Sequence, residues 1–166
     1  MIQKKTYMNS KELQNSAISN RFTIYGDLSE YNNRFESISI LEQNYICGLA
    51  YYNYGIDSQM LLLNDSSTLL LGFDKRVIGI DCITKNEIFH KESISLFYEF
   101  IKTEHCILLI FELDVFAVSF DCQLIWFNNF RDTIENYTVL EGNKISINCS
   151  NGDELVLSLK NGDTSN

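Results

Sequence analysis

Alternating apolar and polar residues recur in short runs along most of this chain, with polar turns between them. The runs cover residues 46–54, 60–63, 68–73, 93–102, 106–111, 115–120, 124–127, 137–140, 144–149 and 154–159. A period of two is typical of β-strands, and the β-branched and aromatic residues of 93–102 favour a strand over a helix there. Polar residues 64–67 predict a turn, and Asn151-Gly152 predicts a type I′ hairpin turn. We therefore expect an all-β fold.

The first twenty residues are polar and lack this alternation. Asn9, with Glu12 three residues later, is a capping-box signal for the start of a helix. We expect a short helix over 9–18 or a loose arm within residues 1–20. Residues 21–162 then form a single all-β domain, and residues 163–166 form a disordered tail.

Three hairpins in the C-terminal part repeat at nearly constant spacing. Ile80, Val118 and Leu157 occupy equivalent places, 38 and 39 residues apart, and apolar runs precede them at 69–71, 107–109 and 145–147. The repeats cover about 68–91, 106–128 and 144–162. A fixed period of about 40 residues indicates one supersecondary unit per repeat.

The first of these hairpins, residues 78–89, resembles the strand-turn-strand unit of PQQ-like (quinoprotein-type) β-propeller blades. Asp81, Thr84 and Phe89 stand at the Asp, Thr and Trp places of that unit, and Trp126 stands at the Trp place in the second copy. The resemblance covers roughly residues 68–162 and implies that these four residues staple neighbouring blades. It implies no cofactor-binding residue.

The repeats leave two arrangements open for the strands. We expect a mostly antiparallel meander of short strands that forms either two packed sheets or part of a propeller. Three copies are fewer than a closed ring of blades usually needs.

The net charge of −9 limits the partners of this chain. Lys and Arg number 13 against 22 Asp and Glu, which argues against nucleic acid or an anionic membrane and favours a protein with a basic surface. Five cysteines without a CxxC pair, together with a polar N-terminus, predict a reducing cytoplasm. The absence of proline and the abundance of Asn and Ile suggest a bacterial or phage source.

Catalytic chemistry has few candidate residues. His90 lies at a predicted strand end, and His105 precedes Cys106, but neighbours on one strand point to opposite faces and cannot form a Cys/His pair. The spaced motifs of calcium, zinc, phosphate-binding and nucleophilic-serine sites are missing from the sequence. We expect no catalytic, cofactor-binding or metal-binding residue, and we favour a non-enzymatic function.

Two aromatic clusters combine large rings with nearby acidic residues, a composition that suits binding to a partner protein. The candidate partner-binding residues are Tyr51, Tyr52, Tyr54, Phe97, Tyr98, Glu99 and Phe100. The same rings would also suit a β core.

We consider three functions. The first is a small acidic binder or inhibitor of another protein, similar to immunity and anti-defence proteins in size and charge alone. The second is a hydrolase or small-ligand-binding domain with a pocket between its sheets and His90 or His105 as polar contacts. The third is a repeat fragment that homo-oligomerisation completes.

Overall fold

The computed structural model describes residues 1–63 and 67–164, which form fifteen strands, one α-helix and one 3-10 turn, Leu41–Gln43. The helix is α1 (Ser10–Asn20). The strands are β1 (Ile2–Tyr7), β2 (Ile24–Gly26), β3 (Arg34–Ile40), β4 (Tyr45–Tyr51), β5 (Gln59–Leu62), β6 (Thr68–Phe73), β7 (Arg76–Asp81), β8 (Asn86–Glu92), β9 (Phe97–Lys102), β10 (Ile107–Phe111), β11 (Asp114–Val118), β12 (Leu124–Asn129), β13 (Ile134–Leu140), β14 (Lys144–Cys149) and β15 (Glu154–Ser158).

These strands form four sheets, and three of the sheets consist of strands that follow one another along the chain. Sheet B contains β5 to β8, sheet C contains β9 to β12 and sheet D contains β13 to β15, each as an antiparallel meander. Sheet A has the order β1-β3-β4-β2, and β2 runs parallel to β4. The all-β, mostly antiparallel prediction is confirmed, and of the two predicted arrangements the four sheets favour the propeller-like one over two packed sheets.

Three apolar layers join the sheets in chain order. Alternate residues of each central strand point to opposite faces, so each sheet contributes to the layer on either side. The A–B layer contains Ile38, Ile40, Leu49, Leu69, Leu71 and Ile80; the B–C layer contains Leu70, Val77, Phe97, Leu109, Phe111 and Phe116; and the C–D layer contains Leu108, Ile110, Trp126, Ile145, Ile147 and Leu157.

The N-terminal segment forms the predicted helix and, in addition, a strand. Asn9 caps α1, because its side chain accepts a hydrogen bond from the Glu12 N–H at 3.0 Å, and Glu12 accepts one from the Met8 N–H at 3.1 Å. β1 pairs with β3 along its whole length. The sequence gives little sign of β1, because an edge strand that buries few side chains carries no strong apolar alternation.

Helix α1 covers the face of sheet A that lies away from sheet B. Leu13 and Ala17 of the helix are buried, and Leu13 packs against Phe35 and Ala50 of the sheet. At the other side of the molecule, the face of β14 away from sheet C is polar. Its residues Lys144, Ser146 and Asn148 alternate with buried isoleucines.

Three predicted turns or tails need comment. The β14–β15 turn is not type I′: Gly152 has a φ of 89°, but Asn151 is not left-handed, and the Gly152 N–H donates to the Cys149 carbonyl at 2.9 Å. This is the pattern of a type I turn followed by a left-handed glycine bulge. The predicted 64–67 turn lies mostly outside the described residues. Within the predicted tail, Thr164 pairs with Leu157, and 165–166 lie outside the described residues.

Candidate protein-binding site

Two loops leave sheet A at the same end. Loop 27–33 leads into β3 and loop 52–58 follows β4, and the paired strands place Arg34 opposite Tyr51. Asn33 and Asn53 join the loops: the Asn53 N–H donates to Asn33 Oδ1 at 2.7 Å, and Asn33 Nδ2 donates to the Asn53 carbonyl at 3.3 Å. The two loops therefore present adjoining surfaces.

Three exposed tyrosines lie on these loops. Tyr52 is 42% exposed and Tyr54 is 56% exposed, and their ring centroids are 4.6 Å apart in a tilted pair. Tyr31, on the other loop, is 77% exposed. We call Tyr31, Tyr52 and Tyr54 the tyrosine site. Loops held on a rigid sheet are the usual place for binding residues.

Tyr51 does not belong to this exposed group. Its ring is buried in the A–B layer, 5.5 Å from the ring of Phe73. Tyr51 is the last residue of β4, and its side chain lies on the face of sheet A that packs against sheet B. The structure therefore removes Tyr51 from the candidate surface, although its hydroxyl group accepts a hydrogen bond from Ser58 at the end of loop 52–58.

A fully buried carboxylate, Glu36 of β3, contacts Ser58 at the end of loop 52–58. It accepts hydrogen bonds from Arg34 Nε at 2.9 Å, Ser58 Oγ at 2.7 Å and Tyr51 Oη at 3.4 Å. Lys4 Nζ of β1 lies 3.3 Å from the same carboxylate. A buried charge is tolerated when it is paired and hydrogen-bonded in this way.

The network fixes the end of loop 52–58 that leads into β5. The Ser58 N–H donates to Tyr51 Oη at 3.0 Å, and Lys4 Nζ donates to Ser58 Oγ at 2.7 Å. Arg34 also forms an ion pair with Asp57. These contacts connect the last residues of the loop to β1, β3 and β4.

Two pKa values in the network are raised. Burial raises the pKa of Tyr51, and the negative charge of Glu36 raises it further, so this phenol stays protonated as a donor. Burial works against the charge of Arg34, but the carboxylates of Glu36 and Asp57 outweigh it and raise the pKa of the guanidinium. Both shifts preserve the charge and donor pattern that the network needs.

Sequence reasoning missed the network, although a signal for part of it was present. Arg34 and Glu36 are two residues apart in a strand, which places an opposite-charge pair on one face. Ser58 and Lys4 are distant in sequence from both. The approach of Lys4 depends on the pairing of β1 with β3, which the sequence did not predict. The approach of Ser58 depends on the pairing of β3 with β4 and on the course of loop 52–58.

The tyrosine site has an acidic setting. Loops 27–33 and 52–58 contain Asp27, Glu30 and Asp57 and no Lys or Arg. Asp27 Oδ1 accepts the Ser29 N–H at 3.1 Å, and Asp57 Oδ1 accepts Asn53 Nδ2 at 3.0 Å. The exposed tyrosine rings therefore lie on loops whose charged side chains are all negative.

The second predicted cluster mostly serves packing. Phe97 is buried, with its ring centroid 4.7 Å from Phe100 and 5.2 Å from Phe111, so Phe97 is also removed from the candidate surface. Tyr98 and Phe100 are half-buried. Glu99 is exposed and accepts a hydrogen bond from the Tyr137 hydroxyl group of sheet D.

Solved structures that are similar to this chain include β-propeller-type proteins. BamB from Moraxella catarrhalis is similar with a TM-score of 0.52 at 10% identity, over 98% of this chain and 49% of that chain. The chain has a β-propeller-like fold. It spans about half the length of BamB.

Two further solved structures are similar to this chain to about the same degree. The dihydro-heme d1 dehydrogenase NirN, in complex with DHE, gives a TM-score of 0.51 at 9% identity, over 80% of this chain and 32% of that one. A chain of the mitotic checkpoint complex gives a TM-score of 0.50 at 8% identity, over 82% of this chain and 43% of that chain. No family model matches the sequence. No curated protein matches it either.

In this propeller-like fold, the blade-type residues lie at turns and between sheets. Asp81 Oδ1 accepts the N–H groups of Ile83 at 2.8 Å and Thr84 at 3.1 Å, which closes the β7–β8 turn. Phe89 packs against the B–C layer. Trp126 lies between sheets C and D and is 7% exposed.

The histidines of the propeller-like sheets occupy different settings. His90 Nδ1 lies 3.1 Å from Glu87 and Nε2 lies 3.5 Å from Glu92, all at the surface of β8. His105 lines a cavity of about 410 Å³ between sheets C and D. It adjoins a cavity of about 690 Å³, and both are lined by Asn143 and Leu159.

Cys106 also lines the smaller cavity, but its environment does not favour a nucleophile. Burial raises the pKa of the thiol, and the contact with Thr103 only partly offsets this. The thiolate, which is the reactive form, is therefore disfavoured.

Within residues 1–63 and 67–164, no three His, Cys, Asp or Glu side chains group as a metal site. Over the same residues, the only α-helix is too short and too polar to cross a membrane.

Proposed function

We propose that this protein is a non-catalytic protein-interaction module and that the tyrosine site binds a partner protein with a basic surface. The observation that carries the proposal is the pair of exposed rings, Tyr52 and Tyr54, on a loop that the Glu36 network holds in place. Tyrosines are enriched among the residues that dominate binding energy. A rigid loop loses little conformational entropy when it binds.

The charge of the chain supports a basic partner. A net charge of −9 attracts cationic surfaces at long range, and the acids of both loops extend that attraction to the site. The exposed rings supply the apolar centre that slows dissociation. A role as an inhibitor, of the immunity or anti-defence type, is part of the proposal and rests on size and charge alone.

We also propose that the sheets are of the PQQ-like type and that the protein acts in the cytoplasm. The stapling position of Trp126 between sheets C and D supports the first point. Five buried cysteines without a disulfide support the second.

The test uses affinity capture followed by binding kinetics. The bait is the full chain, compared with a Tyr52→Ala/Tyr54→Ala variant and with an Ile94→Ala control, whose side chain is 79% exposed on another loop. A true partner is captured by the full chain and the control and is lost with the double variant.

Kinetics with that partner then separate the roles of charge and rings. Raising salt from low to physiological concentration should slow association more than it changes dissociation. Tyr54→Ala should speed dissociation by about tenfold or more. Salt-independent association, or a partner as acidic as this chain, would refute the electrostatic part; equal binding by the double variant would refute the site.

A small-ligand-binding function is the second candidate, because two adjoining cavities open between sheets C and D. Isoleucine, valine and leucine side chains line them, together with His105, Lys102 and Lys160 and with the acids Glu104 and Glu141. A library of small, mainly apolar compounds, screened by NMR shifts of the Asn143 and Leu159 amides, tests this function. Shifts confined to these residues would support it, and unchanged spectra would refute it.

A further inference from the structure

Strand β12 forms an unpaired apolar edge of sheet C. In the described part of the chain it pairs with β11 alone. Leu124, Ile125 and Phe127 are 50%, 43% and 58% exposed, and β12 contains no ionisable side chain. An exposed apolar edge is a ready template for pairing with another strand.

The equivalent strand of the preceding repeat has the opposite character. β8 forms the corresponding edge of sheet B and carries Glu87, His90, Lys91 and Glu92 within seven residues. Charged side chains are a common device that prevents edge-to-edge pairing. Both strands have a bulge at this place, so the two edges differ in charge: the edge of sheet B carries ionisable side chains, and the edge of sheet C carries none.

Side-chain contacts hold β12 in its extended form. Asn128 Nδ2 donates to the Gly162 carbonyl at 2.7 Å, and Asn129 Nδ2 donates to Asp114 Oδ1 at 2.7 Å. The ring of Phe127 stacks on Phe116, with centroids 5.7 Å apart and planes at 19°. A strand that is already ordered loses little conformational entropy when a second strand is added.

We infer that two copies of this chain pair through β12, antiparallel and about a two-fold axis. The lack of charge on β12 favours a second copy as the partner. β12 has no charged side chain that could attract a cationic protein. When β12 pairs with β12 of a second copy, no like charges face each other. The register shift at Ala117/Val118 places Leu124 opposite Val118 and Phe127 opposite Phe116, both on the B-facing side. A central two-fold axis brings Leu124 of one copy beside Phe127 of the other.

Pairing through β12 does not depend on the tyrosine site, and the two contacts should respond to salt in opposite ways. Each copy carries a charge of −9, so two copies repel at long range. Screening by salt weakens that repulsion. Dimerisation through β12 should therefore strengthen as salt rises, whereas association with a basic partner should slow.

Sedimentation equilibrium of the full chain over a concentration series tests the inference. The variant is Ile125→Lys, and the control is Ile88→Lys, at the matching place of β8 and 47% exposed. Ile125→Lys should weaken the dimer by about tenfold or more, because it places two positive charges near each other across the two-fold axis. Ile88→Lys should leave the dimer unchanged. A monomer at all concentrations in high salt would overturn the inference, as would equal effects of the two variants.

Hydrogen exchange of the unmodified protein gives a readout that needs no variant. Amides of residues 124–129 should become more protected as concentration rises, while those of β8 should not change. A dimer whose concentration-dependent protection lies elsewhere would also overturn the inference.

Discussion

The indole Nε1 of Trp126 donates a hydrogen bond to the main-chain carbonyl of Leu159 at 2.8 Å, and this bond connects sheet C to the end of β15. The ring is buried in the C–D layer, so it contributes packing as well as the bond. Trp126→Ala should lower the free energy of unfolding by about 3–5 kcal/mol. Trp126→Phe should cost less, because it keeps a ring. An unchanged urea midpoint in the alanine variant would contradict this role.

Two Asn-Gly-Asp turns give a matched test of the same contact. Gly152 and Gly162 both have positive φ, 89° and 73°. A Cβ atom on Gly162 would lie 2.8 Å from atoms of the Trp126 ring, whereas one on Gly152 would meet nothing within 4 Å. Both alanine variants should lose about 1–2 kcal/mol through backbone strain, and Gly162→Ala should lose a further 1–3 kcal/mol, roughly the cost of overpacking. Equal urea midpoints for the two variants would show that the ring contact is unimportant.

Glu36 should be far more important to stability than an exposed acid. Glu36→Gln leaves Arg34 and Lys4 without their buried counter-charge, and removing one partner of a buried pair costs about 3–5 kcal/mol. The Asp57 partner of Arg34 should keep the loss near the lower end of that range. Glu92→Gln is the control, because Glu92 is 58% exposed and contacts Arg76 at 3.7 Å; it should cost about 0–1 kcal/mol. Chemical unfolding of both variants measures the difference, and similar losses would argue against the network.

The buried thiol of Cys47 should make the fold sensitive to alkali. Burial raises the pKa of Cys47 from the ordinary 9.0 to about 12. Between these values the unfolded chain loses the proton and the folded chain keeps it, so stability is complete below pH 9 and falls by about 1.4 kcal/mol per pH unit above it. Cys47→Ala removes this slope, while the slopes from Tyr25, Tyr45 and Tyr51, whose pKa values are also raised, remain.

The measurement is the free energy of unfolding of both proteins across this alkaline range. The stability that Cys47→Ala costs near neutral pH should shrink as pH rises. Parallel curves for the two proteins would show that the thiol ionises equally in the folded and unfolded chains.

The sequence predicted the elements that side-chain alternation governs. β6, β14 and β15 lie at or within one residue of their predicted positions, and Trp126 lies between two sheets. Alternation did not predict β1, which is an edge strand, or the turn type at Gly152. The sequence offered Tyr52 and Tyr54 as candidate partner-binding rings, and both rings are exposed. Tyr51 and Phe97 were indistinguishable from them, since burial depends on which face a neighbouring sheet covers.

The serial order of the sheets has a consequence for how the molecule folds and opens. Sheets B, C and D each consist of consecutive strands, so most pairings close short loops, which favours rapid local assembly. Each sheet meets its neighbours through a single apolar layer, and stability in such arrays is a sum of unit and nearest-neighbour terms. Sheet D shares one such layer, with sheet C, whereas sheets B and C share two each and sheet A packs against both sheet B and helix α1. Sheet D should therefore be the first cooperative unit to open, and its amides should exchange with solvent at a lower free energy than those of β7 and β10.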